Sequence, residues 1–389
     1  MLRRLPIAAM ERLAAGARTI PQRIGLVTAW ASRLNGGVFE AVVAHAELVA
    51  SLGYEPVVFG LADRHSDEDR ARFGGIEVHA LPVTGPRIAG FAPQLLPALL
   101  EARLDLAHLH GIWTWPSGAA TRWAKRTGKP FVISPHGMLD PWILARGKLK
   151  KRVGRLLFEG ASWRQATRFH ALTDQEAADI ATTTGRRETF VIPNPVPAAG
   201  ATRQDTRFTI VYLGRIHPKK NVAALVDAWR MVGGEGGQRD AELVIAGWGA
   251  DEDVAALEAK LAAGRDPSIR FVGPTFGEAK TRLLADAKFF ALPSHSEGLP
   301  VAVLEAWAAG TPTLMSRHCN LPIGFERGAA IDTGTSPETI AAVLRQALAM
   351  PEAEWSSMSQ AALALAQGPF SPGTVAEAWR TTYAGLIGS

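Results

Sequence analysis

Two glutamates, Glu297 and Glu305, stand eight positions apart in the run SHSEGLPVAVLEAWAAGTPT. A carboxylate held at a sheet edge can offset positive charge developing on a sugar ring, and a second can hold a pair of vicinal hydroxyls. A helix-capping glutamate followed by a solvated one would leave the same spacing. Upstream, Arg215 and Lys220 lie between a strand end and a helix start, where unpaired backbone N–H groups already favour an anion. A guanidinium there can grip phosphate oxygens in bidentate fashion while an ammonium adds a point charge, which suits a diphosphate and its departure. The competing reading is a solvated basic loop. His136 follows the apolar run FVIS and could hydrogen-bond a sugar hydroxyl or stabilise charge. His110, after DLAHL, is a second candidate, on the acceptor side, whereas His108 is expected to point into the sheet or to its far face.

Such side chains need strands that end in loops. The run FTIVYL at 208–213 is β-branched and aromatic and predicts a strand. A helix is expected to open with Asn221 as N-cap, its buried stripe formed by Val222, Leu225, Val226 and Trp229. Residues 288–292 predict another strand, ended by Pro293. Gly298, Leu299 and Pro300 then turn the chain into a helix with Pro300 at its first position, and Gly310 and Pro312 stop it. Glu297 thus belongs to the loop, with Glu305 about a turn and a half along the helix.

The same rhythm runs through the chain. Strands are expected at 23–28, 56–59, 76–81, 105–109, 131–134, 168–172 and 190–192, then at 208–213, 242–246, 269–272, 288–292, 313–315 and 329–331. Helical patterns between them predict an α/β fold of two doubly wound, Rossmann-like domains, 1–195 and 196–369. The Pro- and small-residue-rich stretch IPNPVPAAGATRQD joins them. Ligands of such sheets bind outside the strand carboxyl ends, so two domains facing each other would make one cleft.

Several of these segments together resemble glycosyltransferase family 4. They are Gly214-Arg215 with Lys220, AGWG at 246–249, FVG at 271–273 and SEGLPVAVLEAWAAGTP. In the first half they are Gly36-Gly37, HLHGIW at 108–113 and SPHGMLDPW at 134–142. The resemblance covers nearly the whole chain. It implies the GT-B architecture and transfer of a hexose-type sugar from a nucleoside-diphosphate sugar to an acceptor hydroxyl, with retention of configuration, no metal and no cofactor. It further implies a saccharide or lipid-linked saccharide acceptor, in polysaccharide or lipopolysaccharide assembly. By position, Arg215 and Lys220 would hold the diphosphate and Glu305 the ribose hydroxyls. Glu297 would stand near the anomeric carbon, and Gly298, Leu299 and Pro300 would join Glu305 in binding the donor sugar and ribose. His136 would contact the sugar from the other domain, and Gly36 and Gly37 would let backbone approach the phosphates. A terminal helix at 370–389 would pack back on the first domain. The sequence departs from many relatives at Lys219-Lys220-Asn221, where they place a glycine after the lysine.

Front-face transfer, in which the leaving diphosphate takes the acceptor proton, is the expected mechanism; double displacement with Glu297 as nucleophile is its rival. A nucleotide-sugar epimerase of the same fold and a non-catalytic sugar-nucleotide-binding subunit remain as other classes. A dehydrogenase is disfavoured, since LNGG after residues 24–30 lacks the G-x-G-x-x-G spacing.

Composition fits a globular enzyme of two cores: 389 residues, 47% hydrophobic and 20% charged. One cysteine, Cys319, permits no internal disulfide and fits a reducing compartment. No CxxC or HExxH occurs, so no metal site is expected. The apolar run from Leu5 to Met10 is cut by Glu11 and Arg12, shorter than a secretory core, and a cytoplasmic protein is expected. Charge is uneven: residues 1–195 carry 25 Lys and Arg against 17 Asp and Glu, the remainder 17 against 20. Between Trp142 and Arg168, eight Lys and Arg face a single acid, Glu159, and Leu149, Val153, Leu156 and Leu157 form a stripe. This stretch either packs its stripe on its own domain or rests on an anionic membrane surface at the inner face. The opening segment from Leu2 to Ala17 invites the same reading with less weight. Nucleic acid is not an expected partner, because no aromatic-interleaved basic motif accompanies the charge.

Overall fold

The structure, a computed structural model, describes residues 21–196, 207–233 and 241–388. The opening amphipathic segment and most of the expected linker lie outside them. Contacts divide the chain into two compact units, Met1–His110 with Thr114–Phe131, and Gly111–Trp113 with Val132–Ser389.

The first unit carries β1 (Arg23–Trp30), β2 (Glu55–Leu61), β3 (Glu77–Leu81) and β4 (Leu106–His110). They pair in parallel in the order β3-β2-β1-β4, with Ile24 opposite both Pro56 and Leu106. β1, β2 and β4 are almost continuously buried, as a strand covered on both faces must be. The helix Gly37–Ser51 covers one face through Phe39, Val42, Val43, Ala46 and Val49, a spacing that puts all five on one side. Strand order reverses between β1 and β4, so the loops after these two strands border the crevice in which doubly wound sheets bind ligands.

The second unit holds β5 (Phe131–Ser134, whose first residue lies in the first unit), β6 (Arg168–Ala171) and β7 (Thr189–Val191), which pair in parallel in the order β5-β6-β7. It also holds a six-stranded sheet, β10-β9-β8-β11-β12-β13. Its strands are β8 (Phe208–Leu213), β9 (Ala241–Ala246), β10 (Ile269–Gly273), β11 (Phe289–Leu292), β12 (Thr313–Met315) and β13 (Ala330–Asp332). Here the order reverses between β8 and β11, whose following loops contain Arg215, Lys220 and Glu297. Trp229 and Trp307 fill the core on the two faces' helices, their indole N–H groups donating to Ser268 Oγ at 2.9 Å and Thr313 Oγ1 at 3.3 Å. Truncating either to alanine would cost about 3–5 kcal/mol.

All thirteen expected strands exist, with ends shifted by at most two residues. Two local expectations are refined. Asn221 does stand at the N-cap position of the helix Val222–Gly233, its carbonyl accepting from Leu225 N–H at 3.3 Å, but its backbone is left-handed (φ 60°) and also closes the short helix Pro218–Lys220. Its side-chain amide donates to Pro293 O at 3.1 Å and Thr335 O at 2.8 Å, tying three loops together. Pro300 is the N-cap of the helix Val301–Ala308 rather than its first residue.

The basic stretch also differs from one packed stripe. It forms a helix, Lys148–Gly154, a π-helical turn, Arg155–Glu159, and a further helix, Gly160–Gln165. Leu149, Leu156 and Leu157 are 76%, 80% and 71% exposed, and Val153 is exposed too. The last helix, Pro372–Ile387, sets Trp379 against His170 and Phe190, with ring centroids 4.7 and 5.5 Å away. Among the described residues no helix is long and apolar enough to cross a membrane.

Candidate active site

Three loops of the six-stranded sheet are stitched by backbone. Gly214 N–H donates to Ala246 O at 3.1 Å, Ile216 N–H to Trp248 O at 2.7 Å, and Gly247 N–H to Gly273 O at 2.8 Å. Only glycine allows this approach, because a Cβ on Gly247 would stand 2.0 Å from Gly214 O and one on Gly249 2.3 Å from Ile216 O. Arg215, exposed, projects from this stitched edge, and Tyr212 Oη donates to its carbonyl at 2.9 Å.

Lys220 and Glu297, 77 positions apart, meet: Lys220 Nζ lies 2.6 Å from Glu297 Oε1. Ser294 Oγ donates to the same oxygen at 2.6 Å. The Glu297 backbone is held as well, its N–H donating to His318 O at 2.9 Å and its carbonyl accepting from Asn320 Nδ2 at 2.6 Å. Glu297 is therefore a buried, oriented carboxylate rather than a free loop side chain. Lys219, the neighbouring candidate, is half-buried; burial lowers its ammonium pKa, and its carbonyl accepts from His295 N–H at 2.8 Å. His217 accepts from Lys219 N–H at 3.1 Å and so caps the short helix.

Glu305 lies on the helix Val301–Ala308, half-buried, with Lys280 Nζ 2.6 Å from its Oε1. Leu299 is buried, and Gly298 packs directly on Gly137: a Cβ on Gly137 would stand 3.2 Å from Gly298 Cα. The loop after β5 is thus in contact with the loop after β11. His136 precedes that contact in the left-handed region, φ 54°, uncommon for a residue with a Cβ. Burial, with His170 nearby, pushes its pKa down to about 3, so the imidazole is neutral. Buried Glu176 fixes this turn by accepting from Gly137 N–H at 2.6 Å and Leu172 N–H at 2.8 Å.

In the first unit, Gly36 (φ 59°) ends a short turn and Gly37 opens the helix Gly37–Ser51; no protein atom comes within 4 Å of a Cβ at either. His110 is buried at the end of β4. The expectation for His108 is corrected, since residues two apart share a strand face: the rings of His108 and His110 lie 4.1 Å apart, both beside His45. Cys319 is buried, and burial raises its thiol pKa, which leaves it inert.

Sequence reasoning passed over several residues. Lys280 and Asn320 act through long-range contacts that leave no local signal, and Ser294, three positions before Glu297, reads like any loop serine. Trp248 and Phe276 had a readable one, as aromatics in loops: they are 48% and 62% exposed, with rings 5.3 Å apart, at the carboxyl ends of β9 and β10.

Comparison with known proteins follows the same division. The family "Glycosyl transferase 4-like domain" matches residues 36–195, and "Glycosyl transferases group 1" matches residues 207–350. A D-inositol 3-phosphate glycosyltransferase of Streptomyces avermitilis is 25% identical over 383 residues, covering 84% of this chain and 80% of that one. The O-antigen chain mannosyltransferase B of Escherichia coli is 30% identical over 112 residues, 29% of each chain. Among solved structures, Anabaena HepE in complex with UDP and glucose aligns at a TM-score of 0.75 and 16% identity, covering 94% of this chain and 100% of that one. WaaG, a glycosyltransferase involved in lipopolysaccharide biosynthesis, aligns at 0.67 and 16%, with the same coverage. The two parallel-sheet α/β domains have the GT-B fold, and the two family matches together take in most of the sequence: the chain belongs to the group 1 glycosyltransferases.

Proposed function

We propose that this glycosyltransferase moves a hexose from a nucleoside-diphosphate sugar to an acceptor hydroxyl with retention and without a metal. The observation that carries this reading is the Lys220–Glu297 pair at the β8–β11 switch point. A lysine and a glutamate so held present a cation for a diphosphate beside an anion for an electron-poor anomeric carbon. Arg215 grips the diphosphate with Lys220, Glu305 accepts from the ribose hydroxyls, and the base stacks on Trp248 and Phe276. Neutral His136 holds a sugar hydroxyl, and its left-handed backbone is the kind of local cost that persists at functional sites. The acceptor oxygen bonds to the anomeric carbon on the face the nucleotide leaves. The bond from that carbon to the diphosphate oxygen breaks, and the acceptor proton passes to a departing phosphate oxygen.

The fully formed chain would divide its work at 195/196, with an acceptor-side domain, a donor domain at 196–369, and the terminal helix serving the first. Its acceptor is a saccharide or lipid-linked saccharide of cell-surface polysaccharide or lipopolysaccharide assembly. The stretch 142–168 rests on an anionic lipid surface at the cytoplasmic face, because exposed Leu149, Val153, Leu156 and Leu157 stand among exposed Arg152 and Arg155.

The test is a thermal-shift screen with UDP- and GDP-sugars, followed by product analysis with and without acceptor. Stabilisation by one donor and acceptor-dependent release of its nucleoside diphosphate are expected. Conversion of donor alone would make the protein an epimerase, and binding without turnover a silent subunit. A sugar trapped covalently on Glu297 under slow turnover would assign that residue as nucleophile instead.

A further inference from the structure

We propose that His45, His108 and His110 form a binding site for one divalent transition ion of the zinc class, in the unit that carries β1–β4. Side chains alternate along β4, so His108 and His110 project from one face, and the helix Gly37–Ser51 brings His45 to the same place. The ring centroids are 5.2 Å apart for His45 and His108, 5.3 Å for His45 and His110, and 4.1 Å for His108 and His110. One potential ligand nitrogen from each lies within 4.8 Å of the other two. Tetrahedral zinc at its usual bond length sets ligand nitrogens about 3.4 Å apart, a closure that small rotations of three side chains supply.

The ligand chemistry chooses the ion. Three imidazoles and no carboxylate favour Zn2+, Co2+, Ni2+ or Cu2+ and disfavour Mg2+ and Ca2+, which take oxygen. His108 and His110 are buried beneath a helix whose Phe39, Val42, Val43 and Ala46 are buried too, so the cluster has an apolar surround. Three protein ligands leave a fourth place for water. His110 ends β4 at the ligand-binding edge of its sheet, and half-exposed His45 leaves the cluster reachable from solvent. Bound there, the ion would clamp the helix to β4 and stabilise the folded chain by mass action. This site is independent of the transfer chemistry proposed above, which needs no metal.

The full-length protein, stripped with a chelator, is titrated with Zn2+ by calorimetry and with Co2+ by visible spectroscopy. One ion per chain, cobalt bands of low coordination number and a zinc-dependent rise in Tm are expected. Affinity should fall by about 100-fold or more in His45→Ala and His110→Ala, at least as much as losing an outer-shell partner costs. His318→Ala, an exposed histidine elsewhere, should bind like the wild type. Absence of stoichiometric binding, or wild-type affinity in both His45→Ala and His110→Ala, overturns the site, as does loss of binding in His318→Ala. Because His45 is half-exposed, His45→Ala keeps the test decisive even where replacing a buried histidine unfolds the chain.

Discussion

Two stretches of this chain are rich in basic residues, and they fold differently. Around 214–221, Arg215, Lys219 and Lys220 precede a helix whose Val222, Leu225, Val226 and Trp229 are all buried. That helix anchors the loop, and Lys220 is drawn onto a buried carboxylate. Around 146–157, basic residues alternate with leucines that are exposed. The difference teaches that a cation's task follows from its apolar neighbours. Where they are buried, the charge is fixed and can be aimed; where they are not, charge and leucine are left facing outward together.

The sharpest way to break this contrast is at the fixed pair. Lys220→Ala should lower kcat by about 10²- to 10³-fold, the loss typical of one charge-stabilising donor. An undiminished rate removes Lys220 from the site. Each single loss, Lys220→Ala or Glu297→Ala, should also destabilise by about 3–5 kcal/mol, and the double variant by much less than their sum. Additive losses in urea unfolding would mean that the pair is not a unit.

At the other stretch, Leu156→Ser with Leu157→Ser should weaken sedimentation with phosphatidylglycerol vesicles by about 10- to 100-fold, given ~1.5–3 kcal/mol for a fully buried leucine. Tm should hold, since neither side chain packs on the protein; a large fall in Tm would show that they do. Within the anchored region, Glu305→Ala should raise the donor Kd about tenfold with kcat less affected, as expected for a charged hydrogen bond to hydroxyls. Calorimetry showing full donor affinity would count against the ribose assignment.

The most gradual effect is in pH. Burial pushes His170 down to about 4 and His136 to about 3, from an ordinary 6.5. The unfolded chain takes these protons first, so stability present above 6.5 falls as pH drops towards 4 and 3. Each histidine contributes up to about 1.4 kcal/mol per pH unit in that window. Glu176, raised by burial, opposes this above its ordinary 4.5. Urea midpoints should fall more steeply with acidification in the wild type than in His170→Phe, and equal slopes would remove His170 as a contributor.

How much was legible follows the same divide. Strands such as 131–134, 208–213 and 313–315 were exact because apolar, β-branched runs bounded by glycine and proline carry their own limits. Arg215, Lys220 and Glu297 could be placed in loops for that reason. Their pairing could not, since nothing near Lys220 announces a carboxylate 77 positions on. Asn221 was placed correctly before its helix, but the capping rule uses residue type, and its amide is claimed by carbonyls 72 and 114 positions away. The leucine row at 149–157 was visible, but periodicity is the same whether a stripe meets a core or a solvent. His108 and His110, two apart, share a face by alternation, a rule misapplied when His108 was assigned to the far face; His45 joins them only through helix packing.

A widened turn, Arg155–Glu159, joins the helix that carries Leu149 and Val153 to the one that carries Trp163. A π-turn accommodates one residue more than an α-turn, and each residue rotates a helix by about 100°. On its far side Trp163 is buried, and Glu159 Oε1 accepts from Trp113 N–H at 2.5 Å, so that end is pinned. Deleting a single residue between 155 and 159 would therefore swing Leu149 and Val153 round the axis as a block. One surplus amino acid acts as a rotational setting, and its removal would turn Leu149 and Val153 by about 100° relative to the pinned end.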